Sequence, residues 1–218
     1  MAGSHATLLF ALILSAAPLI ILAADADPLQ DFCVANFSTA LPHISGYACN
    51  DPAQATVDDF VFHGLAHRAN TSTSPQNATA TFAFVENFPG LNTLGIGMAR
   101  LDFGLGGLIV PHTHPRGSEI IFVIEGSLYA GFVDTNNTLF AKVINAGDVM
   151  IFPRGLIHFQ LNVGNGPATA VVALNSQDAG FQIIASSMFG SNIMDEVLEK
   201  AFFLTETDVE ELKAAFSS

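Results

Sequence analysis

The sequence predicts an all-β fold, an antiparallel sandwich or barrel, followed by a short helical tail. Three observations point there. Short apolar runs recur at 118–124, 127–133, 138–144, 149–152, 157–163 and 168–174, each about the length of a strand. Turn-forming residues separate them at Gly126, Asp134 to Asn137, Ala146-Gly147-Asp148, Pro153-Arg154-Gly155 and Gly164-Asn165-Gly166-Pro167. The apolar spacing becomes helical only near the end, over 195–202 and 208–216.

The run Ile120-Ile121-Phe122-Val123-Ile124 does not alternate, so it predicts a strand covered on both faces, one inside the barrel and one against a second sheet or subunit. In the tail, Val209, Leu212 and Phe216 share a helical face, and Thr205 with Asp208, or Thr207 with Glu210, offers a cap. Apolar side chains on two short terminal helices need a partner surface, which predicts a homo-oligomer.

The 218 residues suit one domain, or at most two small ones, with a sizeable core. Half are hydrophobic and 12% are charged, with 7 Lys and Arg against 20 Asp and Glu, a formal net charge of −13. So few cations cannot neutralise a phosphate backbone, which argues against nucleic-acid binding. A basic membrane-surface role is disfavoured equally.

Part of the hydrophobicity lies at the start. Residues 6–24 form an apolar run that exits through Ala23 and Ala24 to Asp25 and Pro28, the pattern of a cleaved secretory signal peptide. A signal anchor is the alternative, opposed by Pro18 within the run and by the lack of a flanking basic cluster. Cleavage near Ala24 leaves a mature chain of about 194 residues without a membrane span.

Two features agree with export. In an oxidising compartment the two cysteines, Cys33 and Cys49, would close a short loop worth roughly 3 kcal/mol; two buried thiols are the alternative. Sequons for N-glycosylation begin at Asn36, Asn70, Asn77 and Asn136. Asn70 and Asn77 are preferred because the polar stretch 70–81 reads as an exposed loop. The expected organisation is therefore signal 1–24, N-terminal extension with disulfide and glycosylated loop 25–81, β-barrel 82–190, and C-terminal helices for oligomer contacts 191–218.

The chemistry concentrates in two stretches. His112 and His114 are two apart, so on a strand both imidazoles face one way. Glu119 opens the next strand after the Pro115 to Gly117 turn and can return a carboxylate to that face. Further on, His158, Gln160 and Asn162 share one strand face. Three imidazoles and one carboxylate leave open positions on a five- or six-coordinate ion, which favours iron or manganese over a closed structural zinc. His63 and His67 are four apart and could adjoin on a helix, but no further ligand accompanies them, and His43 has no context. Arg100 and Asp102 read as a structural pair or interface contact.

Gly106, His112, His114, Glu119 and Gly126 match the first cupin motif position by position, and Gly147, Pro153, Gly155, His158 and Asn162 match the second without a gap. Within that superfamily the chain resembles plant germins and germin-like proteins. Pro28 to Ala35 looks like their first box, and Asn92 to Gly95, Arg100 to Phe103 and Phe159 to Asn162 follow them as well. The resemblance covers nearly the whole mature chain. It implies a single cupin jelly-roll β-barrel with a short helical C-terminal extension, a Cys33–Cys49 disulfide, and Mn2+ held by His112, His114, Glu119 and His158. It also implies a hexamer built as a trimer of dimers, and a glycoprotein of the apoplast or cell wall, acting in defence or stress response.

True germins oxidise oxalate, contacting it through two asparagines thirteen and three residues before the first metal histidine; here those positions hold Ala99 and Ile109. An aliphatic wall leaves carboxylate oxygens unpaired, so oxalate oxidase activity is not expected. Superoxide dismutation, reported for many germin-like proteins, needs only an open position on a redox-active ion and so takes a small oxygen-derived or anionic substrate. Gln160, facing the metal, could hydrogen-bond solvent there, with Asn162 near it. The alternative is a non-catalytic cell-wall structural, storage or ligand-binding protein whose metal stabilises the barrel. A nucleotide-sugar pyrophosphatase activity occurs in part of the family, but no phosphate-cradling basic cluster is present here.

Overall fold

Strand alternation sets which residues face inward. In strand β4 (Glu119–Glu125), Glu119, Ile121 and Val123 are buried while Ile120, Phe122 and Ile124 face out. The same period runs through β8 (Ile157–Asn162), where His158, Gln160 and Asn162 are buried. A computed structural model describes residues 30–39 and 45–217. The expected signal peptide and His43 lie outside those residues.

Among the described residues, ten strands form two antiparallel five-stranded sheets. One has the order β1 (Ala78–Ala83), β2 (Gly97–Phe103), β9 (Ala168–Leu174), β4, β7 (Val149–Phe152). The other has β10 (Gln182–Ile183), β3 (Leu108–Thr113), β8, β5 (Ser127–Val133), β6 (Leu139–Asn145). Only β1–β2 and β5–β6 are consecutive strands in one sheet; every other connection crosses between the sheets, which gives the expected jelly-roll barrel. Between the sheets lie Phe103, Phe152, Ile121, Leu128 and Val123, all essentially inaccessible. Each large apolar side chain buried there stabilises by about 2 kcal/mol.

The six expected strands are present to within a residue or two at their ends. β1, β2 and the two-residue β10 are not among the expected strands. Ala78–Ala83 alternates Thr with Ala, a weak apolar signal, and falls partly inside the stretch read as loop; Gly97–Phe103 carries Arg100 and Asp102. Within one chain β4 is covered on one face only. Its outer residues are 43–50% exposed, beside the exposed Val149 and Ile151 of β7.

The extension is fastened at two points. The Cys33–Cys49 disulfide forms, and the buried Asn92 holds the loop next to it, accepting from Tyr47 N at 2.9 Å and donating to Tyr47 O at 2.9 Å. At the second point Asp102, fully buried, accepts from Arg100 Nε at 2.9 Å, Thr169 Oγ1 at 3.0 Å and Ala69 N at 2.9 Å. Arg68 joins this group by donating to Thr169 Oγ1 at 2.8 Å and to Glu125 at 2.6 Å. Arg100 and Asp102 are thus the structural pair expected.

Three helices close the chain: α1 (Ile184–Phe189), α2 (Asp195–Phe202) and α3 (Glu206–Phe216). Thr205 and Asp208 form a capping box on α3, the first of the two caps foreseen. Phe189 packs on Phe202 and Phe216, with ring centroids 5.4 and 6.4 Å apart, and Val209 is buried. Phe203, in the left-handed region at φ 57°, stands 95% exposed. No helix of the described residues is long and apolar enough to cross a membrane.

Replacing Asp102 with Ala strands a partly buried guanidinium and a buried hydroxyl. The expected loss is about 3 kcal/mol of unfolding free energy, against about 1 kcal/mol for Thr169→Val, read from denaturant midpoints.

Candidate metal centre

Three of the four candidate ligands come from one sheet and the fourth from the other. His112 lies opposite His158 in the β3–β8 pairing. The register shifts between Ile109 and His112, where Pro111 has no N–H to give to the ladder. His114 follows the end of β3, and Glu119 starts β4, paired with Phe152 and Leu174 of its neighbours. One ligand atom from each of His112, His114, Glu119 and His158 lies within 4.8 Å of the others, and all four residues are buried. The fold thus brings together the set read from the sequence.

Backbone carbonyls orient the rings. His112 Nδ1 donates to Val110 O at 2.8 Å, His158 Nδ1 to Leu156 O at 2.9 Å, and His114 Nδ1 to Gly180 O. Gly180 sits at φ +73°, a backbone conformation that suits glycine. Phe152 lies flat on His158, with centroids 4.6 Å apart and planes 18° from parallel. With Nδ1 protonated, each Nε2 carries a lone pair aimed at the cluster. His114 Nε2 lies 2.8 Å and His158 Nε2 3.7 Å from Glu119 Oε2. Two lone-pair atoms that close repel unless a cation or proton lies between them. Glu119 Oε1 and His158 Nε2 have no hydrogen-bond partner among the described residues. Converging imidazole and carboxylate donors with orphaned atoms fit a divalent metal ion.

Electrostatics agree. Burial, reinforced by His158, lowers the His112 pKa to about 3, so its ring stays neutral and able to ligate. For Glu119 burial acts upward, but the adjacent His114 and His158 rings outweigh it and hold the carboxyl at about 2.

Three of the four residues, His112, His114 and Glu119, border an inner cavity of about 20 Å³, room for one water-sized species. Ala99, Ile109, Leu101 and Phe82 wall it, and Gln160 is the polar side chain facing it besides the ligands. Gln160 is fully buried, and both its Oε1 and Nε2 lack partners among the described residues. Asn162 shares the inward face of β8 but is spent on loops, donating to Gly104 O at 2.7 Å and Gly166 O at 2.8 Å. His63 and His67 are exposed on a turn rather than a helix, and among the described residues no second cluster of this kind occurs. Reading the sequence missed Gly180, Phe152 and Phe181, whose ring stands 4.4 Å from that of His112. Their contacts join segments far apart in the chain, and no local pattern marks them.

The two shifts give a pH dependence in the metal-free protein. The unfolded chain protonates His112 near 6.5 and the folded one near 3, so unfolding takes up a proton between those values. This stability is present above about pH 6.5 and is lost as the pH falls towards 3, by about 1.4 kcal/mol per pH unit. Glu119 adds loss in the same direction below about 4.5. Urea titrations of chelator-treated protein at pH 7, 6, 5 and 4 should follow this fall; His112→Gln should flatten it above pH 4.5.

Comparison with known proteins gives the context. The cupin family model matches residues 63–210. Germin-like protein subfamily 2 member 3 of Arabidopsis thaliana is 47% identical over 195 residues, 88% of this chain and 89% of the relative. Germin-like protein 1-1 of Oryza sativa subsp. japonica is 48% identical, covering 89% of each chain. Among solved structures, a recombinant oxalate oxidase in complex with glycolate superposes with TM-score 0.84 at 40% identity, covering 88% of this chain and 98% of that one. Peruvianin-I, described as a cysteine peptidase from Thevetia peruviana latex, gives 0.70 at 42% identity over 74% of this chain and 98% of its own. With both cupin motifs on facing strands and relatives of this similarity along almost its full length, the chain belongs to the germin-like proteins of the cupin superfamily.

Proposed function

We propose that this chain is a secreted, manganese-binding germin-like glycoprotein that removes superoxide and does not oxidise oxalate. The observation that carries the reading is the pairing of the four convergent donors with a water-sized, mostly aliphatic cavity. An ion held by His112, His114, Glu119 and His158 would supply one-electron redox chemistry, through which two superoxide anions and two protons from solvent would give dioxygen and hydrogen peroxide.

The chain's own residues define what reaches that ion. His112, kept neutral by burial, and His114 and His158, oriented through Nδ1, would present Nε2; Glu119 would supply the negative charge. Gln160 offers an amide donor and acceptor to solvent or a small oxygen species beside the ion. Ala99 and Ile109 offer nothing to a carboxylate, so binding oxalate against them would cost its unpaired oxygens their solvation. A thiol-based activity such as that in the name of peruvianin-I is not available either, since both cysteines are in the disulfide.

Assembly and export complete the proposal. The exposed Ile120, Phe122, Ile124, Val149 and Ile151 on one sheet, with Val197 and Phe203 on the helices, support a homo-oligomer, the hexamer that the resemblance implies. Extracellular targeting rests on the apolar N-terminal run and the disulfide. For glycosylation, Asn70 and Asn136 are exposed, and Asn36 and Asn70 each accept from a serine two residues on. Asn77 is the poorer acceptor, despite the sequence-based preference. Its Nδ2 donates to Leu105 O at 3.0 Å and its side chain packs on Gly104.

One observation favours a second reading: the four donors come from both sheets, so an ion would cross-link the barrel and could serve stability alone. Replacing His112 and His158 together with Ala separates the two. The expected result is loss of manganese by elemental analysis and loss of superoxide removal with the oligomer intact by light scattering. Wild type without activity and a variant that falls apart would favour the structural reading; robust peroxide release from oxalate would overturn the substrate assignment.

A further inference from the structure

Phe181 separates the inner cavity from a second, open groove. That groove, of about 520 Å³, is bordered by Pro115, Arg116, Gly180, Gln182 and Ser186, and Phe181 is the residue it shares with the cavity. The ring of Phe181 meets His112 at 4.4 Å, His114 at 5.9 Å and Phe82 at 6.1 Å between centroids, while the residue is 40% exposed and lines the groove.

The backbone on either side of this ring is pinned. Before it, Gly180 O accepts from His114, and Asp178 O and Oδ2 accept from Arg116 at 2.8 and 2.7 Å. Arg116 N donates to Ala179 O at 3.0 Å. After it, β10 pairs with β3, Ile183 opposite His112 and Gln182 opposite Thr113. With its flanking backbone held on both sides and its ring packed on His112 and Phe82, Phe181 forms a constriction built into the barrel rather than a flap. The groove's rim also carries cationic side chains in a chain with a net charge of −13, although the Asp178 carboxylate, 2.7 Å from Arg116, offsets one of them. Arg116 borders it, and the exposed Arg154 donates to Pro115 O at 2.9 Å. These are two of the seven Lys and Arg in the sequence.

We propose that Phe181 is the size filter of the metal site and that the groove outside it is the entrance for small monoanions. The proposal rests on the four-residue metal centre proposed above. It adds that admission is decided by this ring, so that anions of water-like cross-section reach the metal and broader carboxylates are stopped in the groove. Phe181 is thereby a specificity-determining residue for whatever anion the centre takes, whether or not superoxide is that anion.

The test uses the manganese-loaded protein in its resting state, with no turnover required. The EPR spectrum of bound Mn(II) is followed during titration with sodium azide, a slim rod, and sodium acetate, which is broader but whose methyl group the aliphatic wall tolerates. In wild type, azide should perturb the spectrum and acetate should bind at least about tenfold more weakly than in Phe181→Ala. Azide affinity should stay within about threefold between the two. Phe181→Leu, which keeps most of the bulk, should behave like wild type, and Phe181→Val should fall between Leu and Ala. That series carries the comparison should the Ala variant not fold. Equal acetate binding across the series, or equal gains for azide and acetate, overturns the filter while leaving the metal centre standing. A wild type that takes up no manganese overturns the metal centre and the filter with it. A wild type inactive towards superoxide but graded in acetate affinity supports the filter and rejects the dismutase.

Discussion

Three imidazole nitrogens and one carboxylate oxygen, gathered in a buried site with their lone pairs facing inward, repel one another unless a cation sits among them. Each Nδ1 proton is committed to a backbone carbonyl, so rotating the rings to relieve the repulsion would cost those bonds. The arrangement is therefore high in energy without an ion and low with one. That makes ion binding and barrel stability two sides of a single equilibrium.

Much of the surrounding structure serves that constraint. The bulge at Pro111 brings His112 into register with His158 on the neighbouring strand. Gly180 reaches its carbonyl to His114 from a segment 66 residues further along the chain. Phe152 fixes the plane of His158 from the opposite sheet. The same inward faces that hold the ligands also carry Ala99, Ile109 and Gln160, so the barrel sets both the ion's donors and the shape of what can approach it. The large apolar area left on the outside of β4 and β7 follows from another demand, since one chain cannot cover both faces of its sheet.

The metal ligands were legible in the sequence because their spacing follows from strand geometry: a two-residue step keeps His112 and His114 on one face, and Pro-x-Gly turns deliver His158. Strands with long β-branched or aromatic runs were legible for the same reason. β1 was not, because Thr and Ala alternate there with little hydrophobic contrast, and β2 was not, because its Arg100 and Asp102 look like loop residues until the buried network that pairs them is seen. Phe181 could not be read at all. It is one of 19 phenylalanines, and only the closing of β10 onto β3 gives it a place over the site. Asn162 shows the opposite failure: strand alternation faces it inward correctly, yet local loop carbonyls take its hydrogen bonds.

The central claim is that His112, His114, His158 and Glu119 bind one ion together, using all three Nε2 atoms. X-ray absorption at the manganese edge of the loaded wild-type protein tests it most directly, because the outer-shell scattering counts coordinated imidazoles. The account predicts one manganese per chain with three imidazoles and an oxygen-only remainder. A spectrum with fewer than three imidazoles, or with sulfur in the first coordination sphere, would contradict it.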